Sequence, residues 1–120
     1  MADVVVLIDD LFFQAKLFET AKLTGVTLET AATGEQFLKA AAANPSALVI
    51  VDLNARQGAL DAVEQVCKSN GAGNPRRVIA FLSHVQTELA ERARAAGCED
   101  VMPRSKFTQN LATILRGAKS

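Results

Sequence analysis

The sequence predicts one α/β domain built around a parallel β-sheet. Its 120 residues, 49% of them hydrophobic, suit one compact domain with a single interior. Short aliphatic runs alternate five times with longer segments in which apolar residues recur every three or four positions. Parallel strands need crossover helices, and strands covered on both faces are continuously apolar. This alternation therefore predicts five βα units in a single domain, residues 1–120.

The first unit begins with an aliphatic run from Val4 to Ile8, which ends abruptly in Asp9 and Asp10. Such a run indicates a buried strand. The apolar period then changes to three and four, which predicts an amphipathic helix ending before Gly25. The positions that carry this prediction by their spacing are Leu11, Ala15, Phe18 and Ala21 or Lys22.

The second unit combines an alternating strand with a capped helix. Residues Val26 to Ala31 alternate in polarity, as a strand does. Thr33 and Gln36 have the spacing of a capping box, in which each side chain satisfies a backbone N–H at the start of a helix. We expect that helix to cover Phe37 to Ala43 and to stop before Pro45.

Three further units complete the predicted sheet. Their strands are predicted at Ala47 to Val51, Val78 to Leu82 and Asp100 to Met102. The helices after them are predicted at Ala59 to Lys68, from about Gln86 to the residue before Gly97, and at Phe107 to Leu115.

Composition excludes several classes of function. Thirteen basic and thirteen acidic residues balance, and no segment is a basic stripe, so we expect no direct contact with nucleic acid. Cys67 and Cys98 have neither disulfide-framework nor zinc-site spacing, and we interpret them as buried or half-buried apolar groups. No apolar run approaches the length of about 20 residues that spans a membrane. We therefore expect a soluble, cytoplasmic protein without a membrane segment.

Polar residues collect where the predicted strands end. Asp9 and Asp10 follow the first strand, Asp52 the third, Ser83 the fourth and Arg104 the fifth. Ligand sites of open parallel sheets lie outside the carboxyl ends of the strands, so these residues are candidates for one site. Three converging carboxylates repel one another, and such a cluster normally needs a metal ion or a fixed cation to stay ionised.

Four segments carry a resemblance that extends over almost the whole chain: "LIDD", "VIVDLN", "IAFLS" and "GCEDVMPRS", which end strands one, three, four and five. In this order the sequence resembles the receiver domains of bacterial two-component response regulators. The resemblance implies a flavodoxin-like (βα)5 three-layer sandwich with a five-stranded parallel sheet of order 2-1-3-4-5. It also implies a signalling domain, not an enzyme beyond its own phosphorylation and dephosphorylation.

The resemblance also implies a role for each site residue. Asp52 would accept a phosphoryl group from the phosphohistidine of a sensor histidine kinase or phosphotransfer protein, and Ser83 and Arg104 would bind that group. Mg²⁺ would be bound by Asp9, Asp10, Asp52 and the backbone carbonyl of Asn54. An unidentified output protein would contact the face formed by the fourth helix, fifth strand and fifth helix, which includes Glu88, Glu91, Arg92, Lys106 and Gln109.

Three positions depart from the family pattern. The basic residue, usually lysine, is expected seven positions after Gly97, which selects Arg104 and leaves Lys106 as a surface residue. Val101 stands where receivers usually have the aromatic switch residue. His84 follows the switch hydroxyl, where receivers usually have a small residue, and its imidazole would narrow access to the site or offer a hydrogen bond of its own. These departures favour an alternative: a receiver-like module that signals through protein contacts without phosphorylation. A phosphohydrolase or flavin-binding protein of related fold fits less well, because "DDLFF" lacks both Asp-x-Asp and a phosphate loop.

Overall fold

The sheet has five parallel strands. The computed structural model describes residues 2–55, 58–69, 77–82, 87–98 and 100–119. The strands pair in the order β2-β1-β3-β4-β5, with every pair parallel. They are β1 (Val4–Leu7), β2 (Leu28–Ala31), β3 (Leu48–Asp52), β4 (Val78–Leu82) and β5 (Asp100–Pro103). This is the flavodoxin-like order, and the predicted fold class is confirmed.

The helices follow the strands as the apolar spacing predicts. They are α1 (Leu11–Thr24), α2 (Gly34–Ala43), α3 (Ala59–Ser69), α4 (Thr87–Ala95), α5 (Arg104–Gln109) and α6 (Leu111–Lys119). The prediction of one last helix from Phe107 to Leu115 is wrong, because that region forms two helices on either side of Asn110. Helical structure begins at Arg104, directly after β5, and its backbone needs no polar cap residue to start.

Two hydrophobic cores make the molecule a three-layer sandwich. Alternate strand residues point to opposite faces of the sheet, so Val5 and Val49 pack on one side while Val4 and Ile50 pack on the other. The first core includes buried residues of α2, α3 and α4, and the second includes those of α1, α5 and α6. Because β1, β3 and β4 are covered on both faces, all of their residues are buried, as their continuous apolar sequences predict.

The buried face of α1 differs from the predicted one. The buried residues are Phe13, Leu17 and Ala21, of which only Ala21 is in the predicted set. Leu11 is 76% exposed, Phe18 is 43% exposed, and Ala15 is also exposed. Both sets have helical spacing, because α1 carries apolar residues on more than one side. Packing against the sheet and α6 selects the Phe13 side, and the sequence spacing alone does not distinguish the two.

The ends of the helices confirm the local signals. The Thr33 side chain accepts a hydrogen bond from the Gln36 N–H (3.2 Å), and the Gln36 side chain accepts one from the Ala32 N–H (3.2 Å). The predicted capping box is therefore present, although its return bond reaches the residue before the cap. Gly25 ends α1 with a φ of 72°, a left-handed conformation that favours glycine.

The two cysteines are free thiols, as predicted. Cys98 is fully buried and Cys67 is half-buried. Burial raises the pKa of Cys67, and burial together with the nearby Cys67 raises the pKa of Cys98 to about 11. Both thiols are therefore mainly protonated near neutral pH, and we expect them to react slowly. In the part of the chain that the structure describes, no helix has the length and apolar character needed to cross a membrane.

Candidate functional site

Three charged residues meet at the carboxyl edge of the sheet. Asp52 is the last residue of the central strand β3, and its side chain is only 2% exposed. Asp10 lies between β1 and α1, where it forms the amino-terminal cap of the helix. Arg104 is the first residue of α5, directly after β5. The topology therefore brings together residues that are separated by 94 positions in the sequence.

The guanidinium of Arg104 joins the two carboxylates. Its Nη1 donates to Asp10 Oδ2 (3.1 Å), and its Nη2 donates to Asp52 Oδ2 (3.2 Å). Each carboxylate receives one branch of the planar fork, so neither is bound bidentately. We call these two ion pairs the Arg104 bridge.

Asp10 uses both carboxylate oxygens. Its Oδ1 accepts the backbone N–H groups of Phe12 (3.0 Å) and Phe13 (3.2 Å), which would otherwise lack partners at the start of α1. The Phe13 N–H is the largest influence that lowers the pKa of Asp10; Arg104 lowers it further, and burial opposes both. Asp10 is therefore a stable anion at neutral pH.

Asp52 has a different environment from Asp10. Its Oδ1 accepts the Asn54 backbone N–H (2.9 Å), and its Oδ2 accepts the Arg104 bond. Burial raises the pKa of Asp52 above its ordinary value, even though the Asn54 N–H and Arg104 lower it; the charge of Asp9 raises it further. A desolvated carboxylate of this kind is a stronger base and nucleophile than one in water.

An aromatic cluster supports Arg104 from below. The guanidinium carbon lies 4.6 Å from the centre of the Phe13 ring and 5.6 Å from that of Phe81. The Phe81 ring stacks on Phe107 at 4.4 Å, and Phe13 meets Phe81 edge-on at 5.4 Å. Sequence reasoning missed this cluster. The one sequence feature that could have indicated it is Phe13, in the first turn after Asp10. The three rings belong to three different elements, and they meet only in the folded protein.

The structure also describes three other residues that the sequence singled out, Asp9, Val101 and Lys106. Asp9 is half-buried and close enough for its charge to act on Asp52. Val101 is half-buried and packs against the core beneath α2, α3 and α4. Lys106 is exposed, so it is Arg104 that faces the carboxylates. Ser83 and His84, predicted as the switch hydroxyl and the site-access residue, lie outside the described residues.

The arrangement does not fit the Mg²⁺ ion that the resemblance implies. Mg²⁺ demands octahedral coordination by oxygen atoms. No group of three or more acidic, histidine or cysteine side chains within the described ranges is placed to hold a metal ion. The Oδ2 atoms of Asp10 and Asp52 instead bind the positively charged guanidinium. In this arrangement the chain itself supplies one positive charge, which offsets part of the negative charge of the two carboxylates.

The chain is similar to solved structures of receiver domains. A receiver domain protein from Clostridium thermocellum is 19% identical, with a TM-score of 0.79 over 98% of this chain and 94% of that chain. The receiver domain of NtrX from Brucella abortus is 19% identical, with a TM-score of 0.76 over 96% of each chain. No family model and no curated protein matches the sequence.

A further match comes from the structure of a complex. It is a chain of the co-crystal structure of the Saccharomyces cerevisiae histidine phosphotransfer protein Ypd1 with the receiver domain of Ssk1. The identity is 15% and the TM-score is 0.75, over 97% of this chain and 89% of that chain. At these identities the likeness shows the fold. The resemblance to receiver domains is thus confirmed in the fold that the chain adopts.

Proposed function

We propose that this chain is the receiver domain of a two-component signalling system and that Asp52 accepts a phosphoryl group from a phosphohistidine. The observation that carries the proposal is the position of Asp52. It ends the central strand of a receiver fold, is desolvated there, and lies 3.2 Å from a cationic nitrogen of Arg104. The proposed protein is a signalling domain that carries a covalent mark, and it has no separate substrate to convert.

The proposed reaction moves a phosphoryl group from nitrogen to oxygen. An Asp52 carboxylate oxygen forms the new P–O bond while the P–N bond to the donor's imidazole breaks. The imidazole keeps the electron pair of that bond and takes up a proton from solvent, so the donor returns to neutral histidine. The products are an aspartyl phosphate and the free histidine of the partner.

Arg104 is the residue that makes the attack electrostatically feasible. A carboxylate and a phosphoryl group repel one another unless a cation lies between or beside them. The guanidinium already touches Asp52, and its fork suits phosphoryl oxygens as well as carboxylate oxygens. The Mg²⁺ expected from the resemblance remains a prediction, and it requires Arg104 to leave the Oδ2 atoms of Asp10 and Asp52.

The proposed donor is a sensor histidine kinase or a histidine phosphotransfer protein that covers the same edge of the sheet. Leu11 and Phe12 directly follow the two aspartates, and they are 76% and 93% exposed. Leu23, at the far end of α1, is 80% exposed. Exposed apolar side chains beside a reactive group indicate a surface that a protein partner covers. With such a donor, a cytoplasmic location is part of the proposal.

The proposed output surface is the face of α4, β5 and α5. Its polar residues Glu88, Glu91, Arg92, Lys106 and Gln109 are all exposed, so they are available to a second protein. Val101, which replaces the usual aromatic residue, is half-buried in the same region. The proposed output signal therefore does not use an aromatic ring at position 101.

A second candidate is a module that signals by protein contacts alone. It is favoured by the Arg104 bridge together with the near-complete burial of Asp52, because the two carboxylates already share a cation and the proposed nucleophile is covered. In that case protein partners would bind the exposed apolar residues of α1 and the output surface. Asp52 would serve only to position Arg104.

The test is labelling with acetyl phosphate in a buffer that contains Mg²⁺, read by intact mass. We expect one hydroxylamine-labile phosphoryl adduct on the native protein and none on Asp52→Asn. Asp61→Asn, an exposed carboxylate in the first turn of α3, is the matched control and should be labelled normally. Absence of an adduct under conditions that label a known receiver would reject the proposal in favour of the second candidate.

A further inference from the structure

We infer that Arg104 is the resident counter-cation of the acidic pocket and that the Arg104 bridge and a divalent cation exclude one another. The inference rests on the proposed function in that it describes regulation of the same pocket. It arises from a disagreement: the resemblance assigns Asp10 and Asp52 to a metal ion, whereas the structure assigns both to a guanidinium.

All four oxygens of the two carboxylates already have N–H donors. Asp10 Oδ1 accepts from the first turn of α1, and Asp52 Oδ1 accepts from the Asn54 N–H. The two Oδ2 atoms accept from Arg104 at 3.1 and 3.2 Å. A divalent ion coordinated by either Oδ2 atom would lie within a few ångströms of the guanidinium, where like charges in a partly desolvated site repel strongly. Metal entry therefore requires Arg104 to move.

The guanidinium is held in place by more than charge. Its carbon lies over the Phe13 ring at 4.6 Å, and Phe13 itself packs against Phe81. Arginine, unlike lysine, stacks its planar group on an aromatic face while it donates in that plane. Contact with the Phe13 ring supports the guanidinium in the position from which its two branches reach Asp10 and Asp52. The bridge is thus supported by a hydrophobic residue that no metal site would need.

One unsatisfied hydrogen-bond donor destabilises the Arg104 bridge. Among the described residues, the Nε of Arg104 is a buried donor that has no hydrogen-bond acceptor. An unsatisfied buried N–H weakens the arrangement that contains it. The bridge is therefore a state that can open, and the fraction of molecules in which it is open sets the apparent affinity for a metal ion.

The experiment measures Mn²⁺ binding to the folded protein by electron paramagnetic resonance of the free ion. The variants are the native chain, Arg104→Gln, Arg104→Lys and Phe13→Leu. We expect Arg104→Gln to bind Mn²⁺ about tenfold more tightly or better, because the competing cation is gone. Phe13→Leu keeps every charge but removes the ring, so it should bind Mn²⁺ more tightly than the native chain by a smaller factor, as should Arg104→Lys.

The site of the gained binding is fixed by Arg104→Gln combined with Asp52→Asn, which should lose it. A second readout is thermal unfolding followed by circular dichroism. Mn²⁺ should raise the Tm of Arg104→Gln and leave that of the native chain nearly unchanged. If Arg104→Gln fails to fold, Phe13→Leu and Arg104→Lys decide the matter on their own.

Equal Mn²⁺ affinity in the native chain and the folded variants would overturn the inference, and so would gained binding that survives Asp52→Asn. Phosphoryl transfer is not a readout of this experiment. Unchanged Mn²⁺ affinity would therefore not count against Asp52 as the proposed phosphoacceptor. Conversely, a failure of all variants to accept phosphate would reject the proposed function and leave the exclusion of metal by Arg104 intact.

Discussion

Asp10 is predicted to stabilise the protein in two separable ways, as a helix cap and as a partner of Arg104. Asp10→Ala removes both. Loss of an N-cap side chain costs about 1 kcal/mol, within a range of about 0.5–2 kcal/mol. The Arg104 pair is partly exposed and retains Asp52 as a second partner, so we assign it only about 0.5 kcal/mol. Asp10→Asn retains a good cap and loses only the pair.

The assay is urea unfolding followed by far-ultraviolet circular dichroism, because the chain has no tryptophan or tyrosine to report by fluorescence. Thr33→Ala is the matched control, since it removes the cap of α2 without any ion pair, and it should cost about 1 kcal/mol. We expect Asp10→Ala to be the most destabilised of the three and Asp10→Asn the least.

The pH dependence follows from the direction of the pKa shift. Folding lowers the pKa of Asp10 below 3.8, so its ionised form stabilises the folded state. That contribution is fully present above the ordinary pKa and is lost as the pH falls through the folded-state pKa. The difference between the native chain and Asp10→Asn should thus shrink in acid. Equal destabilisation by Asp10→Asn and Asp10→Ala at neutral pH would refute the separation into cap and pair.

Three further predictions concern the rest of the molecule. Gly97→Ala should cost about 2–3 kcal/mol in urea unfolding, because φ is 112° and a Cβ would lie 3.0 Å from the Cβ of Cys67, whereas Gly25→Ala, in open space, should cost about 1 kcal/mol. Iodoacetamide should label native Cys67 before Cys98 and both only slowly at neutral pH; rapid labelling of Cys98, whose pKa is raised to about 11, would contradict its burial. Phe12→Ser should slow phosphoryl transfer from a histidine phosphotransfer protein but not from acetyl phosphate, and Leu23→Ser, about 16 Å away along α1, should have less effect; equal loss with both donors would argue against docking at Phe12.

The sheet was predictable because its signals are local. A strand buried on both faces must be continuously apolar, so Val4 to Ile8 and Val78 to Leu82 identify themselves in the sequence. Parallel strands then order the chain, and the carboxyl ends of β1, β3 and β5 bring Asp10, Asp52 and Arg104 to one edge. The choice of Arg104 over Lys106 came from counting residues, and the structure places the guanidinium on the carboxylates.

The errors come from tertiary contacts. Leu11 and Phe18 have the spacing of a buried stripe, but α1 has two apolar sides and only contact with the sheet and α6 selects between them. The aromatic support of Arg104 comes from rings on α1, β4 and α5, and nothing in the spacing of Phe13, Phe81 and Phe107 predicts their contact. The division of the Arg104 fork between Asp10 (3.1 Å) and Asp52 (3.2 Å) likewise depends on the folded positions of both carboxylates.

The break at Asn110 gives Arg104 a short helix of its own, with its own anchor in the core. Arg104 belongs to a helix of only six residues, about 9 Å long, which is separate from α6. Phe107 anchors this short helix in the core and stacks on Phe81, while the Asn110 side chain binds the Lys106 carbonyl at 2.9 Å. The segment that carries Arg104 and the last helix are thus held in the core by different residues, Phe107 for α5 and Leu111 and Leu115 for α6.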